Sequence, residues 1–354
     1  MLRVIIGRHP SLIALSVGLF CSFLLLAGGV FFLYLQRDPV STAKPAAAPS
    51  VERARQNVQN SASQIVDSQN PFDYHPILGF WPKANSVCSG IMKDRNGGEY
   101  QFRFETDANH CRHSVCEGFE RRSKFVLFFG CSFTFGFNVN DSETLPSQVA
   151  SLAPEYAPYN FGVSGYGPQS MYLQLDNDEI MSNVAQKDGL IVYTFINEHL
   201  ERAIGSPCAS RDLPYVSMRD GRLSFNGTVA SNHPHLVKIR EKFFGTKLWP
   251  VLAKTLFQYD EREALEIEAK LITESKRLAE QRFSSARFCL LIYPGQSKGT
   301  LLAPLLEGSG IRILDYSALH VNDCSFWLTD GHPSPGNYAF VARALVRDLN
   351  LSSL

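Results

Sequence analysis

Four short stretches of the chain carry residue types suited to nucleophilic acyl chemistry. Gly130-Cys131-Ser132 follows the apolar run Phe125–Phe129. A serine at a tight strand-to-helix corner presents its hydroxyl at the rim of a sheet. Its own backbone N–H points toward the same space, where developing negative charge is favoured. Gly165, within Ser164-Gly165-Tyr166-Gly167, lets backbone approach a ligand closely and offers a second N–H. Asn197, just past the apolar run Leu190–Ile196, carries a side-chain amide that can donate to the same oxyanion. Asp330-Gly331-His332 lies on a loop rich in Pro and Gly. An Asp two residues from a His can hold one ring nitrogen protonated and leave the other as a base. Singly, three of these stretches have a plainer reading: a helix cap at Ser132, a turn glycine at Gly165, a helix-entry loop at Asp330. Together they supply a nucleophile, a base, an orienting carboxylate and three oxyanion donors.

The elements needed to bring these stretches together are legible as hydrophobic pattern. Phe125–Phe129, Tyr159–Val163, Leu190–Ile196, Phe288–Tyr293 and Ile311–Leu314 are short apolar runs, as expected of strands covered on both faces. Between them lie helical patterns. One follows Asp141, with Leu145, Val149 and Leu152 on one face. Others span Pro168 to Val184 and Glu261 to Gln281, and a last carries Ala342, Leu345, Val346 and Leu349. Strands alternating with amphipathic helices predict a three-layer α/β/α fold around a parallel five-stranded sheet, whose strand carboxyl ends share one rim. A stretch at about 200–260 breaks the alternation; Val216–Phe225 reads as a hairpin turning on Asp220-Gly221, overhanging one edge of the site. Phe243, Phe244, Leu248 and Trp249 in this insertion suit either an apolar lid or ordinary core. Residues 71–123 read as a small β-rich lead-in, with Tyr100, Phe102 and Phe104 alternating with polar residues after the turn Asn96-Gly97-Gly98.

The order Ser, Gly, Asn, Asp-His resembles the SGNH, or GDSL-type, hydrolase superfamily. GCSFTFGFNVNDSETLP is similar to its first block, NFGVSGYG to its second through Gly165, FINEH to its third through Asn197, and DGHPSPGNY to its last. The resemblance spans about residues 124–350. It implies Ser132, Asp330 and His332 as the catalytic residues and Ser132, Gly165 and Asn197 as the oxyanion hole, with neither a metal nor an organic cofactor. Three positions depart from the family pattern. Cys131 stands where Asp is common, the last block is spaced Asp-x-His instead of Asp-x-x-His, and Glu198 follows the Asn. Asp323 is a more distant substitute as orienter.

Cys131 precedes the corner position and reads as a small buried hydrophobe. His199 reads as a packed or capping histidine. His110-Cys111-Arg112-His113-Ser114-Val115-Cys116 has the spacing of metal ligands, but no second cysteine pair completes a site. Disulfide bonding among Cys88, Cys111 and Cys116 is the preferred expectation.

The run Ser11–Leu35 is 25 residues without a charge, where a bilayer needs about 20, and Arg3 and Arg8 precede it. Residues 1–36 therefore read as a cytoplasmic stub and a single transmembrane anchor, residues 37–70 as a polar tether, and residues 124–354 as the catalytic domain, exported and periplasmic if the source is a Gram-negative bacterium. Lys plus Arg and Asp plus Glu are 34 each, so no basic excess favours a dedicated nucleic-acid binder. The expected function is serine-dependent acyl transfer, by an esterase or O-acyltransferase, on an acylated envelope glycan or glycolipid. The competing expectation is a catalytically inactive glycan-binding or assembly protein of the membrane that retains the fold.

Overall fold

A computed structural model describes residues 71–93, 95, 97–283, 285–319 and 324–351. The expected anchor and tether, and Asp323, lie outside the described residues. Among the described residues no helix is long and apolar enough to cross a membrane. Of the described residues, 243–255 fall in one unit and the others form a second, compact one.

The larger unit opens with two antiparallel hairpins, β1 (Phe72–His75) with β2 (Gly79–Pro82) and β3 (Val87–Lys93) with β4 (Glu99–Glu105). In β4, Phe102 and Phe104 are buried while Gln101 and Arg103 are exposed, the alternation of a half-buried strand. Then follow β5 (Lys124–Phe129), α1 (Ser132–Phe135), α2 (Leu145–Leu152), β6 (Tyr156–Asn160), α3 (Pro168–Asp176), α4 (Asp178–Met181), β7 (Asp188–Phe195) and α5 (Glu198–Ala203). The insertion supplies β8 (Pro214–Arg219), β9 (Arg222–Thr228), α6 (Val229–Asn232), α7 (Pro234–Phe243) and α8 (Trp249–Leu256). The chain closes with α9 (Glu261–Arg282), β10 (Ser285–Ile292), β11 (Arg312–Asp315) and α10 (Pro335–Leu349).

Five strands form one sheet in the order β11-β10-β7-β5-β6, every neighbouring pair parallel. In order of appearance this is 2-1-3-4-5 read from the other edge, with the change of direction beside β5. Side chains leave the central strands alternately toward two cores. Phe125, Leu127, Phe129, Ile191, Tyr193, Phe195, Leu290 and Ile292 pack in one, with residues of α3, α5 and α9. Val126, Phe128, Leu190, Val192, Cys289 and Leu291 pack in the other, with Leu145 and Val149 of α2 and Tyr338, Val341, Ala342 and Leu345 of α10. The runs are apolar throughout because both faces are covered by helices.

Helix ends follow local chemistry. The Thr144 hydroxyl accepts from the Ser147 N–H ahead of α2, and the Asp260 carboxylate accepts from the Arg262 and Glu263 N–H groups ahead of α9. Ser334 caps α10, Pro335 takes its first position, and Asn350 ends it in a left-handed conformation. The β8–β9 turn places Asp220 and Gly221 at φ 50° and 71°, the conformation of a tight hairpin turn. Val216, Met218, Leu223 and Phe225 of this hairpin pack with Ala203, Ile267 and Leu271, which sets it over the helix layer of α5 and α9.

Several expectations are corrected. The second strand ends at Asn160, so Phe161–Val163 are loop, tied to the first strand's corner by bonds from Phe161 N–H to the Phe128 carbonyl and from Val163 N–H to that of Gly130. The helix from Pro168 stops at Asp176, because extended Asn177 instead caps α4. Leu152, expected on the inner face of α2, is 38% exposed at the helix end. Cys88, Cys111 and Cys116 are free thiols, not disulfide partners. The reason is placement: Cys88 is buried in the core that holds Phe104, whereas Cys111 packs against the opposite one. Burial pushes the Cys88 thiol up to about 11, with nearby Arg112 opposing. Within the smaller unit, Phe244 meets Trp249 edge-on at 5.4 Å, both half-buried.

Candidate active site

Ser132 is the first residue of α1, at the carboxyl end of central strand β5. The corner depends on Gly130. Its φ is 146°, and a Cβ there would lie 2.4 Å from Thr134 Oγ1 and 3.0 Å from the Thr194 carbonyl oxygen. Cys131 is wholly buried and makes no capping bond through its side chain, as a small apolar residue would. Asn160, at the end of β6, donates from Nδ2 to the Thr134 and Phe135 carbonyls at 3.1 and 3.3 Å, and so holds the far end of α1.

His332 and Asp330 reach Ser132 from the loop ahead of α10. His332 Nε2 lies 2.9 Å from Ser132 Oγ, and His332 Nδ1 lies 2.9 Å from Asp330 Oδ2. The short Asp-x-His spacing closes locally: Asp330 Oδ1 accepts from the His332 N–H at 3.0 Å across Gly331, whose φ is 88°. The Leu328 N–H donates to the His332 carbonyl at 2.8 Å and completes the turn. Asp330 and His332 each leave only 2% of the side chain exposed, and Ser132 leaves 6%. Burial alone would raise the Asp330 carboxyl. The charge and hydrogen bonds of His332, with the Asn138 amide, outweigh it and hold the group below its ordinary value. An ionised Asp330 only accepts, so His332 Nδ1 is the donor to it, and Nε2 is the ring nitrogen that faces the Ser132 hydroxyl. The rings of Phe133 and Phe137 stand 5.7 and 5.2 Å from the imidazole and shield it from water.

Gly165 has φ 91°, and neither its N–H nor that of Ser132 has a protein acceptor among the described residues. Asn197 precedes α5 directly. Its Oδ1 accepts from the Lys298 N–H at 3.0 Å, and its own N–H donates to Gln296 Oε1 at 2.9 Å. That backbone donor fixes the amide, so Nδ2 is the group left to donate elsewhere.

His199 is buried, as its packed reading expects. Its Nδ1 lies 2.7 Å from the Tyr193 hydroxyl, which donates to Glu268 Oε1 at 2.8 Å. Burial, with the charge of Arg202, holds this imidazole well below its ordinary value. Among the described residues no group of three His, Cys, Asp or Glu side chains is placed to hold a metal ion.

Two contributors escaped the sequence. Asn138 donates from Nδ2 to Asp330 Oδ2 at 2.8 Å across 192 positions, and its only local sign is a left-handed φ of 63°. Arg112, hidden within the cysteine and histidine cluster, is fully buried. It donates to Asp141 Oδ1 at 2.8 Å and to the Val139 carbonyl at 2.9 Å, with its guanidinium carbon 4.4 and 5.1 Å from the ring centres of Phe104 and Phe135.

The serine follows the first strand of the five-stranded parallel sheet, and the Asp-His pair lies ahead of the last helix. No protein-family profile matches the sequence. No curated protein matches it either. Solved structures do. A lipolytic protein of the G-D-S-L family from Veillonella parvula is 12% identical, with 64% of this chain and 98% of that one covered and a TM-score of 0.40. A family two carbohydrate esterase from Clostridium thermocellum, in complex with cellohexaose, is 10% identical over 80% and 98% of the two chains, with a TM-score of 0.37. An acetyl xylan esterase from Butyrivibrio proteoclasticus is 11% identical over 72% and 70%, with a TM-score of 0.36.

Proposed function

We propose that this protein is a serine-dependent acyl-transfer enzyme, an esterase or O-acyltransferase. One observation carries the reading: two hydrogen bonds in series, Ser132 Oγ to His332 Nε2 and His332 Nδ1 to Asp330 Oδ2, both 2.9 Å. In this mechanism His332 Nε2 takes the hydroxyl proton as Ser132 Oγ attacks an ester carbonyl. The tetrahedral oxyanion is met by the N–H groups of Ser132 and Gly165 and by the Asn197 amide. The carbon–oxygen bond to the alcohol breaks, the departing oxygen takes the proton from Nε2, and acyl-Ser132 remains. Water or an acceptor hydroxyl then gives its proton to Nε2 and attacks the acyl carbon, the bond from that carbon to Ser132 Oγ breaks, and Oγ takes the proton back from Nε2.

The substrate class in this proposal is an acylated envelope glycan or glycolipid, handled on the exported side of a membrane. The support is the uncharged 25-residue run Ser11–Leu35 ahead of the fold. The test is a serine-directed phosphonate probe on the wild type and on Ser132→Ala, together with a panel of short acyl esters offered with and without sugar acceptors. Labelling and turnover in the wild type alone are expected. A wild type that stays unlabelled and turns over no ester overturns the proposal.

A further inference from the structure

The lead-in hairpin grips both loops that meet at the triad. From β4, the Tyr100 hydroxyl donates to the Asn138 carbonyl. The Arg103 N–H donates to Asn140 Oδ1 at 2.8 Å and the Glu105 N–H to Asp141 Oδ1 at 3.2 Å. Arg112 adds bonds to the Gly136 and Val139 carbonyls at 3.2 and 2.9 Å. Beside Tyr100 at the turn end of the hairpin, the Lys93 carbonyl accepts from both the N–H and the hydroxyl of Thr329, each at 3.1 Å, one residue ahead of Asp330. The loop bearing Asn138 and the loop bearing Asp330 are thus held by one two-stranded element. Where they face each other, Asn138 Nδ2 donates to the Asp330 oxygen that also holds His332 Nδ1.

On the proposed serine mechanism, we infer that Tyr100 is a positioning residue for Asp330, acting through Asn138. Asn138 sits at φ 63°, a left-handed conformation that asparagine adopts more readily than other non-glycine residues. The Tyr100 hydroxyl ties the carbonyl of that residue and so fixes the direction of its side chain. The Asn138 amide in turn limits rotation of the Asp330 carboxylate away from the imidazole. Without the hydroxyl, the carboxylate spends less time in line with Nδ1, and His332 loses the support that aligns it with Ser132. The lead-in hairpin then belongs to the catalytic apparatus without touching substrate.

A double-mutant cycle on the full chain tests this: wild type, Tyr100→Phe, Asp330→Asn and the double variant, read as the rate of phosphonate labelling and as kcat and KM on a short acyl ester. Tyr100→Phe removes one oxygen atom and keeps the ring. It should lower the labelling rate and kcat about five- to thirtyfold with KM unchanged. In the Asp330→Asn background the same change should cost less than about twofold, because residues acting through one another are not additive. Equal losses in both backgrounds, or no loss in the first, overturn the inference while leaving the triad intact. A wild type as unreactive as Ser132→Ala overturns the triad reading and this inference with it. Asn138→Ala provides the second arm: it should slow the native enzyme similarly and abolish the effect of Tyr100→Phe, and a persisting effect overturns the inference.

Discussion

Ser132 Oγ and His332 Nε2 lie 2.9 Å apart although 200 positions separate them in the chain. The sheet and one helix pair bring this about. β5 is an interior strand, so its carboxyl end opens at the middle of the rim, beside the point where strand order reverses. α10 packs on the same face as α2, through Tyr338, Val341, Ala342 and Leu345 against Leu145 and Val149, and this fixes where the loop ahead of α10 must land.

Removing either member of that contact should abolish turnover. Ser132→Ala and His332→Ala are each expected to lower kcat by a factor on the order of 10^4–10^6, and the double variant should be little worse than either alone. Steady-state kinetics on a short acyl ester, with circular dichroism to confirm folding, checks both points. Losses that multiply in the double variant would show the two residues acting independently.

Arg112 anchors the corner from beneath. Its guanidinium is fully buried and pairs with Asp141, which is 12% exposed, while burial draws the Arg112 pKa down to about 10 against the pull of that carboxylate. Arg112→Met removes one partner of a nearly buried pair and leaves the Gly136 and Val139 carbonyls without their donor. A loss of about 3–5 kcal/mol in unfolding free energy is expected. Urea titration measures it, and a loss below about 1 kcal/mol would place this pair among exposed ones.

What the sequence disclosed and withheld divides along physical lines. Phe125–Phe129 and Leu190–Phe195 announced strands because a strand covered on both faces needs apolar residues at every position. Ser132, Asp330 and His332 were legible because each stands at a corner made by Gly or Pro next to a strand or helix end. Asn138 and Tyr100 were not. Their work is a contact between segments far apart in the chain, and locally one is a loop asparagine and the other an alternating strand residue. Arg112 was masked by its neighbours Cys111, His113 and Cys116, whose spacing suggested bonds that these free thiols do not make. The break after Asp176 went unread because Asn177, unlike Pro or Gly, can continue a helix and here caps the next one instead.

Glu268 should make stability depend on pH in the direction opposite to a paired carboxylate. Burial raises its pKa to about 8, against the lowering effects of the Tyr193 hydroxyl and the Arg202 charge. In the unfolded chain a glutamate titrates near 4.3, as a rough reference value. A group whose folded value is raised contributes stability that is fully present below the unfolded value and lost as pH rises through the folded one. Glu268→Gln has no such titration. The gap in melting temperature between variant and wild type should therefore widen in favour of the variant as pH goes from about 4.3 to about 8. Thermal melts at half-unit intervals check it, and a gap constant across that window would contradict the burial-raised carboxyl.

Asn197 allows the two halves of one side chain to be separated. Its Oδ1 holds the Lys298 N–H and ties the loop after β7 to the loop after β10, while Nδ2 is the donor available to an oxyanion. Asn197→Ala removes both functions and should lower kcat by about 10^2–10^3 with some loss of stability. Asn197→Asp keeps an oxygen for Lys298 and removes only the donor. It also places negative charge where negative charge must develop, so electrostatics oppose the transition state directly. The expected result is a kcat at least as low as that of Asn197→Ala, with a melting temperature closer to wild type and little change in KM. Kinetics and melts on the pair measure this. If Asn197→Asp retained near-native kcat, the amide would serve only to join the two loops, and the oxyanion would rest on the N–H groups of Ser132 and Gly165.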